Sequence, residues 1–135
     1  MPVIQSQVDP CSAPFARNRA AMLVGIENVR QLEQNLLDKA AEAKARFEKR
    51  GQLLPRERLN LLLDPGAPFL ELASLAGYKL HDDKDGSAAG GGLIAGIGYV
   101  SGVRVLVVAN NSAIKGGTIS PSGLKKSLRL QQIAM

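Results

Sequence analysis

The 135-residue chain suffices for about one domain with a modest core and falls short of most complete enzymes that bind two substrates. Its formal net charge of +5 favours a phosphate-bearing or otherwise anionic partner without naming one. A single cysteine, Cys11, excludes an intrachain disulfide and a cysteine-based zinc site, and no apolar run reaches the roughly 18 residues of a membrane span.

The opening "MPVIQSQVDP" lacks a basic n-region and an Arg-rich transit pattern, so the expected location is the cytoplasm. Residues 1–14 read as a flexible N-terminus. From Phe15 to Arg50 there is no proline and one glycine. Met22, Ile26, Val29, Leu36, Ala40, Ala43 and Phe47 recur there at threes, fours and one seven, which predicts one long amphipathic helix. Lys44, Arg46, Lys49 and Arg50 suit the negative end of its dipole, and Gly51 suits its C-cap, so residues 15–51 form a packing helix. An apolar stripe of that length needs a second subunit or the outside of a larger body to lie against.

"LLPRERLNLLLDPG" predicts a short helix with Pro55 in its first turn, Asp64-Pro65-Gly66 as its stop, and Leu59, Leu62 and Leu63 on its buried side. "PFLELASLAG" fits a strand or an extended segment equally. "KLHDDKDGSAAGGG" has the composition of a surface loop. "LIAGIGYV" and "RVLVVAN", separated by Ser101-Gly102-Val103, predict a hairpin, and the unbroken run Val105 to Val108 predicts a strand covered on both faces. Ser120 before Pro121 is an N-cap and first helical position, opening a helix that runs to the end of the chain with Leu124, Leu128 and Ile133 inward. "RVLVVAN" has no later strand beside it, so residues 52–135 read as the beginning of a larger, incomplete α/β domain.

Lys115-Gly116-Gly117, just ahead of a helix start, suits an anion: a phosphate or a thioester oxygen could sit there. Glycines admit a ligand close to the backbone, the helix N-terminus adds partial positive charge and the lysine a full one. The spacing is not that of a Walker A loop, and a plain strand-to-helix turn accounts for the same glycines. Lys125, Lys126 and Arg129 on the following helix fit either a face for an anionic partner or a solvated surface. Five aromatics without basic interleaving argue against a nucleic-acid partner. Aligning Gly86 with the sixth position of an EF-hand places His81 first and Gly92 twelfth, where carboxylates are required, so no metal loop is expected at His81-Asp82-Asp83. In "GIGYVSG" Ser101 stands where a dinucleotide fingerprint needs its third glycine, and no nicotinamide site is expected.

Two stretches carry a family pattern: "RGQLLPRERLNLLLDPGAPFLELASLAG" from Arg50 to Gly77, and "GGGLIAGIGYVSGVRVLVVANNSAIKGGTISPSGLKKSLRLQQIA" from Gly90 to Ala134. Together they resemble the start of the carboxyltransferase (beta) subunit of biotin-dependent acyl-CoA carboxylases. "VANNSAIKGGTISP" and "KKSLRLQQIA" resemble the methylcrotonoyl-CoA and geranyl-CoA carboxylase branch. The resemblance implies the N-terminal part of a crotonase-like spiral α/β fold, and a subunit that moves a carboxyl group from carboxybiotin to an acyl-CoA enolate. It implies biotin on a separate alpha subunit that also carries biotin carboxylase, a homo-oligomer of beta subunits, and packing of the long helix across subunits. The turn of Lys115, Gly116, Gly117 and Thr118 would belong to the acyl-CoA half of the site, Lys115 supplying charge and the glycines close approach. The oxyanion-hole segments would lie downstream of Met135, leaving no catalytic residue to assign here and an inactive segment on its own. The alternative is a truncated, non-catalytic module that binds a carboxylase partner or a CoA ester.

Overall fold

The computed structural model describes residues 5–80 and 83–135; His81 and Asp82 lie outside the described residues. In chain order it contains α1 (Ala13–Ala41), α2 (Lys44–Glu48), α3 (Pro55–Leu62), β1 (Leu70–Glu71), β2 (Leu93–Val100), β3 (Val103–Asn110), a single 3-10 turn (Lys115–Gly117) and α4 (Pro121–Ala134). The chain divides into two units, residues 1–32 and 33–135.

In the first unit α1 starts two residues before the expected Phe15, because Ser12 caps it. Its hydroxyl accepts from the Phe15 amide (3.3 Å) and donates to the Asp9 carbonyl (2.7 Å). Met22, Ile26 and Val29, expected on a packing stripe, are exposed within the chain.

In the second unit the expected single helix to Arg50 is two helices. The Ala43 amide bonds the Ala40 carbonyl (3.2 Å), a tightened turn between α1 and α2 that no proline or glycine announces. The interruption accompanies burial: Ala40, Ala43 and Phe47 form one cluster with Ala113 and Ile114. Gly51, at φ +65°, ends α2 as expected. Its amide bonds the Glu48 carbonyl (2.9 Å) and that of Gln52 bonds the Phe47 carbonyl (3.0 Å), a Schellman closure.

α3 begins at Pro55 as read from the sequence, with the Glu57 carboxylate accepting from the Leu54 amide (2.8 Å). Of its three expected inward leucines, Leu59 is buried and Leu63 half-buried, whereas Leu62 is 51% exposed: the helix ends at Leu62, and Leu63 already leaves it in an extended conformation. Asp64 then anchors the hairpin, its amide bonding the Tyr99 carbonyl (2.9 Å) and its carboxylate accepting from the amides of Ser101 and Gly102 (2.7 Å each). Ser101 and Gly102, at φ +52° and +76°, are the two residues of the turn, one fewer than expected, because Val103 already pairs with Val100.

The three strands form one antiparallel sheet in the order β1-β2-β3, with Leu70 opposite Ile97 and Leu93 opposite Asn110. "PFLELASLAG" yields only the two residues of β1. β2 carries the core, through Leu93, Ile94 and Ala95. Side chains at Gly96 or Gly98 would strike Phe69 and Leu63, which lie over the sheet there. β3 is not covered on both faces: Val103 and Val108 are exposed, and an apolar run cannot by itself report what covers it. The glycine-rich loop departs from a surface loop in the same way. Asp83, Ala89, Gly90 and Gly91 are buried, and only Lys79, Leu80, Lys84 and Asp85 are exposed among its described residues. The Asp83 carboxylate holds it, accepting from the amides of Lys79 (3.1 Å) and Ala88 (2.9 Å).

α4 starts where Ser120 and Pro121 predict, the Ser120 hydroxyl accepting from the Gly123 amide (3.1 Å). Its inward face is not the expected one. Leu124, Leu128 and Ile133 are 59%, 54% and 42% exposed, and the buried residues are Gly123, Lys126 and Leu130. Gly123 explains the rotation: it meets the backbone of Gly91 so closely that a β-carbon on either would overlap the other. With Gly123 inward, the helical period carries Lys126 and Leu130 inward as well. The Lys126 Nζ donates to the carbonyls of Leu93 (2.7 Å) and Gly90 (3.3 Å). Burial pushes its ammonium down to about 8, against the pull of Glu71 and with the push of Arg56.

Two outcomes follow. Gly91→Ala is expected to cost more than about 2 kcal/mol by denaturant unfolding, whereas Gly102→Ala, also at positive φ but facing open space, costs about 1 kcal/mol of backbone strain alone. The folded value for Lys126, about 8, lies below the unfolded 10.5, so across that interval the unfolded chain holds a proton that the folded chain has released. Stability of the wild type relative to Lys126→Met therefore rises as pH climbs from 8 to 10.5, by up to roughly 3 kcal/mol, and thermal unfolding across that range measures it.

Candidate functional site

The Lys115–Thr118 turn is built from its entrance. After β3 the amide of Asn111 bonds the Gly92 carbonyl (2.8 Å), and that of Ile114 bonds the Asn111 carbonyl (3.2 Å). Ala113 and Ile114 are then buried in the cluster with Phe47, so the chain enters the turn from a fixed point. Lys115, Gly116 and Gly117 follow at φ +44°, +66° and +82°, three successive residues in the left-handed region. Glycine adopts it freely, and a lysine there carries roughly 1 kcal/mol of strain.

The turn closes on itself. The Gly117 amide bonds the Ile114 carbonyl (3.0 Å), and both the amide and the hydroxyl of Thr118 bond the Lys115 carbonyl (3.3 and 3.0 Å). Those two amides serve the turn, so its offer to an anion rests on the lysine and the exposed Gly116, where a β-carbon would meet nothing within 4 Å. The N-terminus of α4 is likewise part-satisfied by its own Ser120 cap.

Lys115 lines two concavities. One, of about 150 Å³, lies among Ala76, Gly77, Leu80, Asp83 and Thr118. The other, of about 260 Å³, is lined by Lys39, Glu42, Arg46, Ser87 and Ala113. Sequence reasoning missed Lys39 and Arg46. They lie with Glu42 and Ala43 at helical spacing, yet only the folded chain puts that face beside Lys115. Glu42 holds the Lys39 ammonium above its usual value through a hydrogen bond and ion pair of 2.8 Å. The Arg46 guanidinium reaches the Ala113 carbonyl (3.5 Å) and lies over the Phe47 ring, 5.8 Å from its centre. Three cations from three segments thus line one concavity against one carboxylate.

The polar residues before the turn and the cations after it lie apart. Asn110 and Ser112 line a groove of about 760 Å³ beside β3 that also includes Gly116. Asn111 is buried beneath it, on a cavity of about 300 Å³ whose walls include the bidentate Arg56–Glu71 pair (2.7 and 2.8 Å) and Ser74, whose hydroxyl donates to Glu33 (2.6 Å). Lys125 and Arg129 face solvent, while Lys126 does not. Among the described residues no group of three or more His, Cys, Asp or Glu could hold a metal. None of the described helices is long and apolar enough to cross a membrane.

Residues 46–135 match the family described as the carboxyl transferase domain. The chain is 42% identical over 133 residues to the probable mitochondrial methylcrotonoyl-CoA carboxylase beta chain of Drosophila melanogaster, covering 98% of this chain and 23% of that protein. It is 50% identical over 93 residues to the biotin-dependent 3-methylcrotonyl-coenzyme A carboxylase beta1 subunit of Mycobacterium tuberculosis, covering 69% of this chain and 17% of that one. Among solved structures, the beta subunit of P. aeruginosa geranyl-CoA carboxylase superposes with a TM-score of 0.86 at 72% identity, over 99% of this chain and 25% of that one. Transcarboxylase 12S, at 19% identity and a TM-score of 0.64 over 80% of this chain and 22% of that one, shares the fold. The chain therefore spans about a quarter or less of the length of these relatives, and its mixed helices and strands are the opening part of the crotonase-like fold that the sequence resemblance implies.

Proposed function

This chain belongs to the carboxyl transferase domain family, and from that premise we propose that it forms the amino-terminal part of a carboxyltransferase (beta) subunit. The reaction is transfer of a carboxyl group from carboxybiotin to an acyl-CoA of the methylcrotonoyl-CoA or geranyl-CoA type. The observation that carries this reading is the likeness to the geranyl-CoA carboxylase beta subunit over 99% of the chain. The same proposal includes a biotin-carrying alpha subunit as partner, beta subunits assembled with one another, and a cytoplasmic location. It is supported by the beta-chain names of the relatives, by the hexamer named for transcarboxylase 12S, and by the bacterial source of the geranyl-CoA neighbour.

Within that subunit the Lys115–Thr118 turn faces the phosphate-bearing end of the acyl-CoA. The donor set fits: Lys115, Arg46 and Lys39 offer ammonium and guanidinium groups to phosphate oxygens, with Glu42 partly neutralising Lys39. Gly116 leaves room for a ligand beside the backbone. No arrangement of donors and acceptors among the described residues is specific for biotin. The oxyanion donors that stabilise charge on the thioester carbonyl belong to other segments of the subunit.

Lys115→Ala in the full subunit is expected to raise the KM for the acyl-CoA about tenfold, the loss of one charge-assisted hydrogen bond, while kcat changes less. Unchanged affinity and turnover would remove the turn from the site. The intact mass of the native polypeptide separates the subunit from a truncated binding module: a value well above 14.3 kDa is expected, and 14.3 kDa itself would exclude the catalytic reading.

A further inference from the structure

We propose that Lys126 is a positioning residue for the Lys115–Thr118 turn: from the inner face of α4 it ties the carbonyls of Gly90 and Leu93, clamping the entrance of β2 against the segment that carries the turn. The functional meaning of the clamp rests on the acyl-CoA reading of that turn; the clamp itself does not.

The geometry begins with a gap in the sheet. Along β2 the carbonyls alternate in direction. That of Gly92 accepts from the Asn111 amide after β3, and that of Ala95 accepts from the Leu72 amide (2.8 Å) after β1. Leu93 is two residues from Ala95 and so directs its carbonyl to the β1 side, where the two-residue β1 does not extend. Lys126 occupies the place of the missing strand partner at 2.7 Å. Its second acceptor, the Gly90 carbonyl, also closes the turn into β2 by accepting from the Leu93 amide (3.2 Å).

The same stretch touches both ends of the segment leaving the candidate site. Gly91 lies on Gly123, and Gly92 lies so close to the Thr118 carbonyl that no β-carbon would fit between them. Thr118 is the last residue of the turn and Gly123 lies in the first turn of α4, so Gly90 to Leu93 form the floor beneath residues 118–123. Lys126, 5% exposed, fastens floor and segment together one helical turn further on. The charged groups nearest it from other elements are Glu71 on β1 and Arg56 on α3, already paired with each other (2.7 and 2.8 Å). Lys125 and Arg129, on the solvent side of α4, serve no such purpose. An apolar side chain at this position would fill the space and leave the Leu93 carbonyl unpaired, which is why a lysine stands where an amphipathic helix would place a leucine.

The test uses the full-length beta subunit assembled with its biotin-carrying partner, and compares wild type, Lys126→Met and the surface control Lys125→Met. Amide hydrogen exchange is followed at residues 90–93 and 115–123, together with steady-state kinetics using methylcrotonoyl-CoA and geranyl-CoA as probes. Lys126→Met is expected to speed exchange about tenfold in both segments while the β2–β3 ladder keeps its protection, and to raise KM severalfold with kcat within about twofold. Lys125→Met is expected to match the wild type in every readout. Unchanged exchange at residues 90–93 or 115–118, or equal loosening throughout the subunit, would overturn the proposal. Local loosening with unaltered KM would sustain the clamp and remove the acyl-CoA reading of the turn instead. Should Lys126→Met fail to assemble, Lys126→Gln takes its place: its amide is a donor one bond short of the Lys126 reach, so exchange is expected to speed severalfold in the same two segments, and unchanged exchange there would overturn the proposal.

Discussion

The arrangement of residues 88–135 depends on one backbone-to-backbone contact, Gly91 against Gly123. Packed layers of secondary structure usually meet through side chains, stacked sheets for example about 10 Å apart. Here the first turn of α4 lies directly on the chain entering β2, with no β-carbon on either side. That contact fixes which face of α4 turns inward, which brings Lys126 to the open β1-side edge of β2, and it holds the chain from Thr118 to Gly123 against Gly91 and Gly92. The candidate site therefore inherits its position from glycines that are not part of it.

Such a contact is costly before it is favourable. Glycines lose more conformational freedom on folding than other residues, and Gly90, Gly91 and Gly92 are all held at positive φ. They also contribute no apolar side chain to the core. The stretch recovers stability through hydrogen bonding. Gly90 donates its amide to the Ala76 carbonyl (2.8 Å), the Gly92 carbonyl accepts from the Asn111 amide, and Lys126 donates to the carbonyls of Gly90 and Leu93. A buried lysine is an expensive way to satisfy carbonyls, since removing an ammonium from water opposes its charge.

What could be read from the sequence divides along the same line. Local chemistry was legible: Ser120 and Pro121 opening a helix, Gly51 closing one, Pro55 starting another, and the Ser101-Gly102 hairpin all follow from backbone rules that need no partner. The Lys115–Thr118 turn was legible as a candidate for the same reason. The inward face of α4 was not, because hydrophobic periodicity assumes that leucines mark the core, and Leu124 and Leu128 satisfied that pattern while facing outward. Gly123 and Gly91, 32 residues apart, overrule it, and nothing in either local stretch reports the other. Lys39 and Arg46 were invisible for a similar reason: they sit on two successive helices, α1 and α2, whose charges look like a solvated surface until Ala113 and Ile114 dock against them. The exposed faces of β3 and of the first unit mark the opposite limit, since an apolar pattern states that a surface wants cover without stating what supplies it.

Lys115 joins the two kinds of information. At φ +44° it stands in a conformation that glycine would adopt without strain, and glycines follow it at the next two positions. The hydrogen bonds closing the turn use the backbone and the Thr118 hydroxyl, all of which a glycine at this position would also allow. A lysine here therefore carries about 1 kcal/mol of backbone strain. Its side chain sits between two concavities, in one of which Arg46 and Lys39 join it from helices that the burial of Phe47 holds in place. The placement is what an anion-binding role requires: one cation on a turn fixed from below by glycine packing, and two more brought to it by a core that neither segment could specify alone.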